Sequence, residues 1–395
     1  MSEEKSYMLP KAVLVSSFCV LLLAHCYAAE TEKSPAGRTQ QKVLAEFEIT
    51  EGGDSILLPV RFKNKEYLFL FDTGTSHTGF DISFKPQLGK AIRTGKGLTV
   101  GGPVKSESFA APKAFLGPFN LKDSREVVCV DLKMPSLVVG KKISGFVGMN
   151  FLKKYVIQMD FDKSKLLFLQ PTKTQNPDWG TELIIKYNPL GIPQITGSIC
   201  GDTKVDFWVD TGCNSSGVLQ GKAFDYILSE KRMKISETLF VTAAGTTRQR
   251  VARINKLSIG PIEYQDLIFG EGYLSTLGLP FLSRHIVTFD FPNSKVYFKK
   301  GKEFDKVDET DMSGLHLLRI SGKTVVYSVD EDSPAHKAGI RANDIILKVG
   351  NKEASEYDMW KLRRLLMSGD KKKVVMTIKR GDGVIEVSFL LTRKI

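Results

Sequence analysis

The chain has 395 residues, 42% of them hydrophobic and 25% charged, which is ordinary globular usage and enough for two or three separate cores. A disordered or fibrous chain is excluded as the default. A formal charge of +12 raises nucleic acid as a partner, but the cations are scattered, and the densest runs, residues 299–302 and 371–373, have no interleaved aromatics; a solvated basic surface and no nucleic-acid partner are expected.

From the N terminus, Lys5 and Lys11 precede an apolar run over residues 12–23, followed by the small residues Ala28 and Ala29. That order reads as an export signal over residues 1–28. A retained membrane anchor over residues 12–29 is the alternative, because its length is near the lower limit for spanning a bilayer. Cys19 and Cys26 fall in this segment, and the remaining Cys129, Cys200 and Cys213 are too few and odd in number for a disulfide framework.

The next two segments, residues 38–170 and 180–300, repeat one order of elements. In the first, strand-like runs at 55–61 and 66–71 flank a turn at Asn64 and Lys65 and lead into Asp72-Thr73-Gly74-Thr75-Ser76. In the second, runs at 194–200 and 204–209 flank Gly201 and Asp202 and lead into Asp210-Thr211-Gly212-Cys213-Asn214-Ser215. Downstream, Phe146-Val147-Gly148 and a strand at 156–161 correspond to Thr276-Leu277-Gly278 and a strand at 286–291; strands at 165–169 and 295–298 close the two halves. Short β-branched and aromatic runs punctuated by glycine describe two compact, mostly β lobes. The polar stretch 170–180 and the charged stretch 299–311 read as linkers.

Residues 311–395 change character. Strands are expected at 324–329 and 344–349, a short helix from Ser333-Pro334 to Gly339, a longer helix over 356–367 with Leu362, Leu365 and Leu366 at helical spacing, and strands at 374–379 and 384–391 about Gly381-Asp382-Gly383.

The repeat supports one specific chemistry. Two carboxylates in one site cannot both ionise easily, so one stays protonated and supplies a proton while the other accepts one from water. Asp72 and Asp210 each follow a run fit for a buried strand, residues 69–71 and 207–209, and each has a glycine two residues on that permits a tight turn. The hydroxyls of Thr73 and Thr211 are available to bond across the junction between the lobes. Thr75 offers Asp72 a better hydrogen-bond donor than Cys213 offers Asp210; on that ground Asp210 is expected to be the protonated partner and Asp72 the base.

At these residues the chain resembles the aspartic proteases, more closely the retropepsin-like branch, over residues 43–299. The resemblance implies a bilobal double β-barrel with Asp72 and Asp210 as the catalytic pair. It further implies that Thr73 and Thr211 lock the base of the cleft, that Gly74, Thr75, Gly212 and Cys213 support the turns, and that the two apolar-apolar-Gly elements thread behind them. Both lobes lie in one chain, so no homodimer is required. The family covers its cleft with glycine-containing hairpins, here residues 95–102 and 241–250, with Gly97, Gly101, Gly102 and Gly245 as flexing points.

The C-terminal segment, through residues 313–318, 325–329, 333–340 and 343–346, resembles the PDZ domains of bacterial secreted proteases, a small α+β fold. That resemblance implies that Gly314, Leu315, His316 and Leu317 receive a peptide C terminus, with Leu362 and Leu366 forming its pocket.

His77, His285, His316 and His336 are widely spaced without a ligand grouping, so no metal or other cofactor is expected. Ser215 and Ser216 lack a Gly-x-Ser-x-Gly elbow. The expectation is an exported aspartic endopeptidase acting on protein or peptide substrates, with a PDZ-like domain for a C-terminal peptide ligand. The alternative is an inactive protease-like scaffold.

Overall fold

The computed structural model describes residues 41–395 apart from 51–54, 100–101, 172–176, 202, 232 and 243–244. The expected export signal, residues 1–28, and the flap residue Gly101 lie outside the described residues.

Each lobe is built on a hairpin whose second strand ends in the Asp-Thr-Gly turn. In the first, strands Leu57–Phe62 and Lys65–Phe71 pair antiparallel. Their turn is Lys63 and Asn64, both at positive φ, one residue earlier than the sequence suggested, because a two-residue hairpin turn needs both of its central residues in the left-handed region. In the second lobe, strands Pro193–Ile199 and Thr203–Asp210 pair through a turn entered at Cys200 and Gly201, again at positive φ. Leu58, Val60, Phe69, Phe71, Phe207 and Val209 are fully buried along these strands, which is what their alternating and continuous apolar patterns specify.

The apolar-apolar-Gly elements then thread beside the strands that end in the Asp-Thr-Gly turns, in parallel. Strand Gly145–Val147 aligns Val147 with Phe71, and strand Thr276–Gly278 aligns Leu277 with Val209. Each element is also paired antiparallel on its other side, to strand Gly79–Asp81 or strand Gly217–Gln220.

A six-stranded antiparallel sheet joins the lobes, in the order Val43–Glu48, Lys165–Leu169, Val156–Asp160, His285–Asp290, Lys295–Lys300, Thr181–Ile184. At its centre Val156 aligns with Asp290, Gln158 with Thr288 and Asp160 with Ile286. The Gln158 amide donates to the Thr288 hydroxyl at 2.8 Å. Equivalent strands of the two halves thus pair across a pseudo-two-fold axis, and one apolar core runs through both lobes.

Residues 312–391 contribute a separate core around Leu317, Val326, Leu362, Leu366, Met376 and Ile378. Strand Leu315–Ile320 is the edge of its sheet, hydrogen-bonded on one side to strand Lys323–Val329. The short helix Pro334–Lys337 is capped by Ser333, whose hydroxyl accepts from His336 N–H, and the following Gly339 has φ 82°. The charged stretch before this domain is not a loose tether. Arg284, 4% exposed, donates to the carbonyls of Phe304 and Lys306 and to Asp308 Oδ1, while Asp308 Oδ2 accepts from Ile268 N–H at 2.9 Å.

Candidate active site

The two turns hold their carboxylates in equivalent ways. Asp72 leaves strand Lys65–Phe71 with its N–H on the Val147 carbonyl at 3.1 Å, and its Oδ1 accepts from Gly74 N–H at 2.8 Å. Asp210 ends strand Thr203–Asp210, and its Oδ1 accepts from Gly212 N–H at 2.8 Å. The carboxylates converge: a Cβ placed on Gly74 would lie 2.2 Å from Asp210 Cγ, and one on Gly212 would lie 2.7 Å from Asp72 Cγ. Glycine at both positions is therefore a requirement of close approach between lobes, with φ outside the left-handed region.

Thr73 and Thr211, both fully buried, fix this approach. Thr73 N–H donates to Thr211 Oγ1 at 3.0 Å and Thr211 N–H donates to Thr73 Oγ1 at 3.1 Å. Each hydroxyl then donates across to the other lobe, Thr73 to the Val209 carbonyl at 2.6 Å and Thr211 to the Phe71 carbonyl at 2.9 Å. The carbonyls belong to the residues just before the aspartates, so the lock acts on the strand ends that aim the carboxylates.

Burial pushes the Asp72 carboxyl well above the usual carboxylate range, and the neighbouring Asp210 charge pushes it further, against a single N–H from Gly74. Burial raises Asp210 as well, but N–H groups of Gly212 and Cys213 and a hydrogen bond with Asp72 oppose it. Both carboxyls are thus held above the ordinary range, and the two titrate as a pair. The Thr75 hydroxyl donates to the His77 carbonyl at 3.3 Å and not to Asp72. Cys213 is buried with its thiol pushed upward by that burial, beside Gly278.

The carboxylates open into a cavity of about 1450 Å³. Apolar walls come from Leu70, Val128 and Phe146 on the Asp72 side and Ile192, Trp208 and Ile268 on the Asp210 side. Two hairpins line it, Arg93–Thr99 with Gly102–Ala110 and Ile235–Thr242 with Gly245–Ile254. Gly97 lines the cavity, whereas Gly102 and Gly245 begin the return strands opposite Thr99 and Thr242. Among the described residues no group of three or more His, Cys, Asp or Glu side chains is arranged to hold a metal ion.

The same cavity reaches the C-terminal domain, where Leu315, His316, Leu317, Trp360, Arg363 and Met367 line it. Leu362 and Leu366 do not form a pocket wall. Both are fully buried in the domain core, and the helix Met359–Leu366 turns Trp360 and Arg363 toward the cavity instead. The N–H groups of Gly314 and Leu315 are already engaged, Gly314 with Asp311 Oδ1 at 2.6 Å and Leu315 with Ser313 Oγ at 3.1 Å. His316 Nε2 pairs with Asp330 Oδ1 at 2.8 Å. Burial alone would raise the Asp330 carboxyl, but the bonds from His316 and Lys394 outweigh it and hold it at about 2.

Residues 58–151 match a family model described as aspartyl protease, and residues 325–380 match one described as PDZ domain. A solved structure, that of a retropepsin-like aspartic protease from Rickettsia conorii, is similar at 24% identity over 29% of this chain and 97% of that chain, with a TM-score of 0.25. No curated protein matches. The chain therefore joins an aspartyl-protease domain, matched in its first lobe, to a PDZ domain near its C terminus.

Proposed function

We propose that the protein is an exported aspartic endopeptidase that hydrolyses peptide bonds with a water activated between Asp72 and Asp210. The observation that carries this reading is the contact of each carboxylate with the other lobe's turn glycine, under a cavity large enough for an extended peptide. The ionised member of the pair takes a proton from the water as its oxygen attacks the carbonyl carbon. The protonated member gives its proton to the carbonyl oxygen, forming a tetrahedral diol. Collapse of the diol breaks the C–N bond: the proton taken from water passes to the leaving nitrogen, and a diol hydroxyl returns one to the other carboxylate. Apolar walls on both sides favour substrates with large apolar side chains next to the cleaved bond.

Both carboxylates come from one chain, so catalysis needs no homodimer. Export rests on the charged, apolar and small-residue order of residues 1–28. The test is cleavage of a quenched-fluorescent unfolded protein by wild type, Asp72→Asn and Asp210→Asn, purified in parallel. The reading predicts loss of hydrolysis in both variants; variants that cleave like wild type overturn it, and an inert wild type favours a scaffold.

A further inference from the structure

PDZ domains capture peptides by adding a strand to a free sheet edge beside a helix, with the peptide carboxylate on the N–H groups of the preceding loop. Here that edge is strand Leu315–Ile320, beside helix Met359–Leu366; this chain packs on part of each half of the site, while Leu315, His316, Leu317 and Trp360 still face the cavity.

The first occupant is the helix Lys133–Val139 with the two residues after it. This helix belongs to the first lobe and packs against both the edge strand and helix Met359–Leu366. Arg363 Nη2 donates to the Val138 carbonyl at 2.5 Å and to the Leu317 carbonyl at 3.4 Å, so one guanidinium ties the lobe to the edge strand. Gly140, at φ 80°, sits so close that a Cβ there would lie 2.5 Å from Met359 Cγ. Lys141 reaches Asp358 at 3.8 Å. Leu318 is 4% exposed although it is not part of the PDZ core.

The second occupant is a carboxylate. Asp311 Oδ1 accepts from Gly314 N–H at 2.6 Å, Ser313 N–H at 2.9 Å and Ser313 Oγ at 2.8 Å. It holds the Gly314 N–H, one of the loop groups a peptide carboxylate would need.

The segment over the groove is also a wall of the catalytic cavity, through Leu132, Pro135, Val138 and Val139. It leaves strand Glu126–Val130 and returns to strand Gly145–Val147, which backs the Asp72 turn. Anything that lifts the segment from the groove therefore moves a wall of the cleft.

We infer that the PDZ groove is partly covered in cis by residues 133–141 and Asp311, and that a peptide with a free C-terminal carboxylate displaces them, opening groove and cleft together. The closure stands on its own; its effect on hydrolysis rests on the protease reading above.

A reversible lock tests it. The Cβ position at Gly140 is 3.4 Å from Met359 Cβ, within reach of a disulfide. The oxidised Gly140→Cys/Met359→Cys protein is expected to bind a labelled octapeptide ending in valine and leucine with a free carboxylate about tenfold or more weakly than the same protein after reduction. Cleavage should fall in parallel. Equal affinity in the two redox forms, or no binding in the reduced form and wild type, overturns the closure. Loss of binding without loss of cleavage overturns the coupling alone.

Hydrogen exchange on the otherwise unaltered Asp72→Asn protein gives an independent readout that needs no activity and no introduced cysteine. Adding the peptide is expected to protect strand Leu315–Ile320 and to speed exchange over residues 133–141, and the amidated peptide to do neither. Protection of the strand with unchanged exchange over 133–141 overturns the inference. Asp311→Ala is expected to tighten binding of the acid peptide more than that of the amide, and equal effects on both would remove Asp311 from the account.

Discussion

Replacing Thr211 with valine keeps the shape of a fully buried side chain and deletes one hydroxyl. That hydroxyl accepts from Thr73 N–H at 3.0 Å and donates to the Phe71 carbonyl at 2.9 Å. Water cannot substitute at a site with no exposure, so the Thr73 N–H is left unsatisfied, which costs about 1–3 kcal/mol, and the lost bond to Phe71 adds about 1 kcal/mol. The expected destabilisation is about 2–4 kcal/mol. Thr73→Val should cost the same, because its bonds to Thr211 N–H and the Val209 carbonyl mirror the first pair. The double variant should cost less than the sum, since the first substitution already loosens the contact that the second would break. The assay is urea unfolding of the two single variants and the double, read by tryptophan emission, together with kcat and KM on a peptide substrate. The lock aims the carboxylates, so kcat should fall by more than KM changes. Single variants within about 0.5 kcal/mol of wild type and with unchanged kcat would refute the assignment of these hydroxyls as the lock.

Two further outcomes follow from the same geometry. Gly74→Ala places a methyl 2.2 Å from Asp210 Cγ, so it should abolish cleavage, with the loss in kcat; retained activity measured on the purified variant would contradict the close approach. Stability should depend on pH through the dyad. A carboxyl raised by burial binds its proton in the folded state at pH values where the unfolded chain has released it, so stability falls as pH rises from the ordinary aspartate range through the raised value. His285, buried and held neutral down to about 3, acts in the opposite sense. The dyad is therefore read from the difference between wild type and Asp72→Asn: relative to wild type the variant should gain stability with rising pH across that window, and parallel melting curves would contradict it.

Much of this arrangement was legible in the residues, because it is local or repeated. The paired Asp-Thr-Gly turns, the strands before them and the apolar-apolar-Gly elements each occur twice, and the capped helix after Ser333 carries its own start and stop signals. What escaped depends on contacts distant in sequence. The sheet between the lobes aligns Gln158 with Thr288, a pairing with no local signal. Helix Lys133–Val139 is short, contains Pro135, ends in two valines and has no side-chain cap at Leu132, so intrinsic propensity argues against it; it is held by the PDZ domain and the second flap hairpin. Helical spacing identified the stripe of Leu362 and Leu366 but not what it faces. An apolar stripe goes to the core, which leaves the flanking Trp360 and Arg363 for the groove. The surroundings of the dyad were hidden for a similar reason. A hydroxyl at Thr75 was visible in the sequence, whereas its direction, toward the His77 carbonyl, was not.

The claim on which the rest stands is that Asp72 and Asp210 share one proton. Carbon-13 NMR titration of labelled aspartate carboxyls, assigned with Asp72→Asn and Asp210→Asn, measures it directly. The expected result is one carboxyl that stays protonated well above the ordinary range and falls back toward it when Asp210 is replaced by asparagine, which removes the neighbouring charge. Two carboxyls that titrate independently, with Asp72 unmoved by Asp210→Asn, would contradict the account.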